Sequence, residues 1–214
     1  TVEVLPKNTS LLLMNCMSFR GLWGAVQELP TQEREHFRNC DGTTTKIEWI
    51  IRDRGFSFNH FDQGTMFLVS NGPIKMALFL PNEELFKQTK SFSKILKPFY
   101  QKFETLLEAS SCKNYELIVP KFEVSGFKSL KTVLQTIGLE EIFENVPNIS
   151  ESKDDRVCLT DVISATEFSI HKNVQKQNDQ NKSVKRTHIN RPFMSIVYHS
   201  DTKIPLSFGV FNKL

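Results

Sequence analysis

The chain has 214 residues, 39% of them hydrophobic and 24% charged, with a formal net charge of +3. That is the balance of a globular chain able to bury a sizeable core. The charge is too slight for a nucleic-acid binder, which carries a strongly basic face. No apolar run reaches the length of a membrane span, the longest, SLLLMNCMSF, being interrupted by Asn15.

In chain order, Leu11 to Phe19 is a nearly continuous apolar run, the pattern of a strand covered on both faces. DGTTTKIEWII opens with the turn signal Asp41-Gly42 and continues into β-formers. GFSFNHF alternates, and GTMFLVSNGPIKMALFLP reads as two strands hinged at Asn71-Gly72-Pro73. Helical periodicity follows Pro81, with Asn82 as N-cap and Glu83 and Glu84 in the first turn. Pro98 starts a second helix whose Phe99, Phe103, Leu106 and Leu107 form one stripe. Lys87, Lys90, Lys94, Lys97 and Lys102 lie near the opposite side. They read first as a solvated face, and second as a site for a polyanion such as a glycosaminoglycan.

YELIVPKFEVSGF is strand again, with Pro120 at a kink or edge. KSLKTVLQTIG is an amphipathic helix closed by Gly138. VCLTDVISATEFSI is a long strand. FMSIVYHS and IPLSFGVF form a buried hairpin around Ser200-Asp201-Thr202. The fold class is α+β with strands predominating. Between the long strand and the hairpin lies a polar, basic connection with hardly an apolar side chain, a length of chain that compact domains keep for function or leave disordered.

Chemistry is sparse. The histidines at 36, 60, 171, 188 and 199 have no metal-ligand spacing, and no phosphate loop or nucleophile elbow is present. The chain reads as a non-enzyme without a cofactor. Cys16, Cys40, Cys112 and Cys158 are scattered and read as isolated thiols in or near a core. Sequons at Asn8, Asn148 and Asn181 make glycosylation, and with it an extracellular, secreted protein, the expectation. The chain starts at Thr1 with no signal segment in view, which reads as a processed or partial chain.

Four segments together resemble the serpin family of serine protease inhibitors. LLLMNCMSFRGLWG is similar to the family strand ending Asn-Ala-x-x-Phe-Lys-Gly-x-Trp, matched by Asn15, Phe19, Gly21 and Trp23. LIVPKFEVSGFKSLKTVLQTIGLEEIF resembles the Leu-Pro-Lys-Phe strand and the helix after it. LTDVI resembles the strand leading into the reactive loop. NRPFMSIVYHSDTKIPLSFGVF resembles the C-terminal signature Asp/Asn-Arg/His/Lys-Pro-Phe, which Pro192 and Phe193 complete, and its closing hairpin. The likeness spans residues 1–214 as the C-terminal portion of a single serpin domain. It implies a partial serpin fold with a mixed central sheet, structural roles for Asn15, Trp23, Pro192 and Phe193, and burial of Asn15 and Trp23. The family's first helices and first two central strands have no counterpart here, so either the chain is a fragment or a partner supplies that N-terminal part.

The resemblance makes residues 171–189 or thereabouts the exposed reactive-centre loop, the bait for a protease. In inhibitory serpins the cleaved loop enters the central sheet as a new strand, which needs a hinge of small residues. Here the hinge positions are Lys172, Val174 and Gln175, the loop is shorter than the family's, and the family's helix-shutter histidine aligns with Ser164. Counting back from Asn190 puts the scissile position near Asn181, whereas charge points to Lys185 or Arg186. The leading expectation is a non-inhibitory or substrate-like serpin acting as carrier, precursor or interaction protein. The alternatives are an inhibitor of a trypsin-like serine protease, and an unrelated enzyme or binding module.

Overall fold

A computed structural model of the chain describes residues 9–28, 36–52, 56–84, 107, 110–111, 115–144, 159–173 and 185–214, with the backbone alone given for 21–28, 52, 71, 110–111 and 171–173. Its strands are β1 (Leu11–Glu28), β2 (His36–Arg38), β3 (Thr44–Lys46), β4 (Trp49–Arg52), β5 (Phe56–Phe61), β6 (Gly64–Asn71), β7 (Ile74–Pro81), β8 (Ser110–Ser111), β9 (Tyr115–Pro120), β10 (Glu123–Ser129), β11 (Leu159–Asn173), β12 (Lys185–His188), β13 (Phe193–His199) and β14 (Pro205–Phe211). Two helices have defined bounds, α1 (Lys131–Thr136) and α2 (Glu141–Glu144). The chain divides into two units, residues 1–21 with 123–169 and residues 22–122 with 170–214.

The second unit holds the densest core. β5, β6 and β7 form a meander, with Phe56 opposite Val69 and Gly64 opposite Pro81. The β6–β7 turn needs Gly72, whose φ of +69° lies in the left-handed region that glycine enters without steric cost. β13 pairs antiparallel with β7, and β14 with β13, which completes the order β14-β13-β7-β6-β5-β8. Met66, Leu68, Ala77, Phe79, Met194, Ile196 and Tyr198 close one buried cluster, with Leu107 packed on it. Phe37, Phe122, Phe193 and Phe211 make a second, in which the Phe193 and Phe211 rings stack at 4.7 Å. Met66–Val69 and Met76–Pro81 are buried without interruption, the signature of strands covered on both faces.

A second sheet of this unit runs from the end of β1 through β4 and β9 to β12. β4 and β9 pair antiparallel, Ile51 facing Ile118, while β12 lies parallel to β9. β2 and β3 form a hairpin about the expected Asp41-Gly42 turn, of which the sequence reading does not anticipate the first strand. Its turn is built by Gly42 at a φ of +84° and by Asp41, which accepts the Thr43 N–H at 2.9 Å.

In the first unit β10 pairs antiparallel with β11 from Glu123↔Ser169 to Ser129↔Ile163. β11 is also the sheet neighbour of β1. The Ser10 N–H donates to Thr160, Ser18 and Arg20 reach Glu167, and Phe19 stacks on Phe168. Residue numbers rise together along the two strands, so β1 and β11 run parallel and the sheet is mixed. α1 ends in a Schellman cap: Gly138, at a φ of +92°, donates to Gln135 O and Leu139 donates to Leu134 O.

Three expectations are corrected. Leu11, Leu13 and Met14 are 38%, 58% and 40% exposed, so β1 is not covered on both faces there. Asn15 is exposed rather than buried. The reason is the same for both: no described element packs over that stretch of β1. Cys16 and Cys40 are exposed thiols, not core ones.

Candidate functional site

The segment expected to be bait is framed by two anchors of the second unit. The upstream anchor is the end of β11, where Ile170 is buried and its N–H donates to Phe122 O. The strand continues through Asn173, so residues 171–173 are extended backbone. The downstream anchor starts at Lys185. Lys185, Arg186, Thr187 and His188 lie opposite Tyr115, Glu116, Leu117 and Ile118, and Ile189 continues the ladder by donating to Ile118 O. Residues 174–184 lie outside the described residues.

Three kinds of interaction hold the downstream anchor. The first is that ladder. The second is an ionic cluster: the Arg38 guanidinium meets Glu83 at 2.7 Å, the Arg38 N–H donates to Asn190 O at 2.9 Å, and Arg191 donates twice to Pro81 O, at 3.3 and 2.9 Å. Burial lowers the Arg191 pKa from its ordinary value, Arg38 adds to the shift, and Glu83 opposes it. The third is apolar, since Pro192 is buried and Phe193 lies among the four phenylalanines.

On β12 the two basic residues face different partners. The Lys185 ammonium lies 5.9 Å from the centroid of the Tyr115 ring. The Arg186 guanidinium donates to the Glu116 carboxylate at 2.8 Å, with the two side chains 39% and 16% exposed. Successive side chains of a strand point to opposite faces, which separates the two contacts. β12 ends the order of its sheet, so its outer edge has no described neighbour. The described residues hold no group of three or more His, Cys, Asp or Glu that would bind a metal ion. β12 thus carries Lys185 and Arg186 as exposed residues of an extended strand at the end of its sheet.

Lys172 is on β11 with its side chain undescribed. Val174, Gln175 and Asn181 fall outside the described residues, as do Asn8, Asn148 and Lys87, Lys90, Lys94, Lys97 and Lys102. Trp23 lies on β1, its side chain likewise outside the description. Sequence reasoning missed Glu116, Tyr115 and Arg38, and read Glu83 only as a first-turn residue of a helix, without its pairing to Arg38. No local pattern marks them, because each acts across the sheets on a residue far along the chain.

The family model of the serpins, serine protease inhibitors, matches residues 1–214. Alpha-1-antiproteinase of Bos taurus is 26% identical over 97% of this chain and 51% of its own length. Antithrombin-III of Homo sapiens is 29% identical over 72% of this chain and 34% of its own. The fold is similar to the crystal structure of native protease nexin-1 with heparin, at a TM-score of 0.77 and 18% identity, covering 97% of this chain and 58% of that one. The chain thus spans about half the length of the first relatives it matches.

Proposed function

The chain belongs to the serpin family, and from that premise we propose that it is a secreted, non-catalytic member whose exposed basic loop makes it a protease substrate rather than a suicide inhibitor, with a carrier, precursor or interaction role. One observation carries the reading: the hinge Lys172-Asn173-Val174-Gln175, followed by KQNDQ, has no run of small residues.

The sheet makes the hinge chemistry matter. β11 already has β10 on one side and β1 on the other. A segment leaving β11 and turning back into the sheet would have to part β11 from β1 and lie antiparallel to both. It would place Lys172, Val174, Lys176, Asn178 and Gln180 on one face and Asn173, Gln175, Gln177 and Asp179 on the other. Each buried polar group without a partner costs on the order of 1–3 kcal/mol. Four such groups offset much of what the added strand contributes.

The second reading, a serine-type endopeptidase inhibitor acting on a trypsin-like protease, is favoured by the names of the relatives, an antiproteinase and antithrombin. For the lysines after Asn82, the likeness to protease nexin-1, whose crystal structure was solved with heparin, favours a glycosaminoglycan as a further partner.

Limiting trypsin separates the two. The complete protein is incubated with trypsin, boiled in detergent and resolved by mass, and intact and clipped forms are melted side by side. The expected result is clipped chain with no complex and a Tm within a few degrees of the intact form. A detergent-resistant complex, or a rise of tens of degrees after cleavage, favours the inhibitor instead.

A further inference from the structure

We propose that Glu116 is a specificity-determining residue, directing a trypsin-like protease to the peptide bond after Lys185 by withholding Arg186. The inference rests on the exposed-loop reading above, and adds which of two adjacent cations is offered.

The S1 pocket of a trypsin-like protease carries a carboxylate that takes either Lys or Arg. To enter it, a side chain must leave its own partners, while the backbone beside it pairs with the enzyme as an added strand. β12 suits that pairing, being extended and having an outer edge with no described neighbour. Its side chains differ in what they give up. Lys185 is exposed and leaves a Tyr115 ring whose centroid is 5.9 Å away, near the limit of a useful cation–π contact. Arg186 leaves a charge-assisted hydrogen bond of 2.8 Å to Glu116, and it strands that carboxylate in a site where its side chain is only 16% exposed.

The register fixes this choice. In the parallel ladder Arg186 lies opposite Glu116 and Lys185 opposite Tyr115. The Glu116 carboxylate therefore stands where it competes with the carboxylate of the protease for one guanidinium and leaves the neighbouring ammonium to the enzyme. In the favoured step water adds across the Lys185–Arg186 bond, leaving a carboxylate on Lys185 and an amine on Arg186.

The test is the partition of trypsin cleavage between the two bonds, read by mass spectrometry. It is measured at early times on the complete protein and on an unstructured synthetic peptide covering residues 179–194, which reports the preference of the enzyme alone. The protein should favour the cut after Lys185 over that after Arg186 by roughly fivefold relative to the peptide, the upper end for a partly exposed ion pair. Glu116→Gln, which keeps the shape and removes the charge, should bring the partition back to that of the peptide. Raising the salt from about 0.15 M to about 1 M should move the unsubstituted protein the same way, with no substitution that could disturb folding. A protein that partitions like the peptide, or a partition unmoved by both Glu116→Gln and salt, overturns the role of Glu116. A detergent-resistant complex overturns the substrate reading and leaves the partition to be read on the trapped chain. No cut anywhere between residues 171 and 189 overturns both.

Discussion

Asp41 shows how a surface residue becomes structural through its partners. The Thr43 hydroxyl and N–H donate to its carboxylate, and the Lys213 ammonium lies at 3.0 Å. Together they hold its pKa down from 3.8 to about 2, the Thr43 hydroxyl contributing most. These contacts bind the β2–β3 turn to the last residues of the chain, where Cys40 N–H donates to Asn212 O and Leu214 N–H to Asn39 Oδ1. A carboxyl whose pKa is depressed by folding adds stability that is fully present above its unfolded value and is lost as the pH falls through the folded one. Asp41→Asn should therefore lower Tm at neutral pH, and the gap to the unsubstituted protein should close between pH 3.8 and about 2. A gap that persists at pH 2 in thermal melts would show that the charge is not what Asp41 contributes. Glu116 belongs to the same scale, a single carboxylate whose effect is set by what lies opposite it.

Among the elements, β13 ties the segment expected to be bait to the core. Phe193 to Tyr198 is buried at every position, because β7 and β14 flank the strand and both its faces are covered. Ring burial raises the Tyr198 phenol pKa above its ordinary value. Phe193 sits where β2, the β9–β10 link and β14 meet, touching Phe37, Phe122 and Phe211. Removing its ring leaves a cavity that these three rigid neighbours fill poorly. Phe193→Ala should cost about 3–5 kcal/mol by chemical denaturation, and a loss below about 1 kcal/mol would show that the ring cluster is not a structural hub. β12, by contrast, ends the order of its sheet, paired with β9 and with the His188 ring edge-on to Trp49. On the proposal above, it is the element whose outer edge would pair with a protease.

At the scale of the molecule, the two units differ in how much they bury. β10 is exposed at every residue, and Val124 and Phe127 are among its uncovered apolar side chains, whereas β7 and β13 are enclosed. Opening of a strand costs least where little apolar area is buried around it. In a chain of these 214 residues, hydrogen exchange should thus label peptides covering β10 well before those covering β7 and β13; equal protection would show that the first unit is as cooperative as the second. Strand-forming runs, the Asn71-Gly72-Pro73 hinge, the Gly138 helix stop and the closing hairpin were legible in the sequence, since each rests on alternation, an unbroken apolar run or a residue with special backbone freedom. The family resemblance was legible for the same reason: its motifs are contiguous. The run from Leu11 to Phe19 was read correctly as a strand and wrongly as covered on both faces, because hydrophobicity records what a residue suits, not what packs against it. Strand β2 and the parallel pairing of β1 with β11 were decided only in three dimensions. So were the partners of Lys185 and Arg186. The sequence presents them as two equivalent cations, and a carboxylate 70 positions away, brought opposite Arg186 by a parallel register, makes them different.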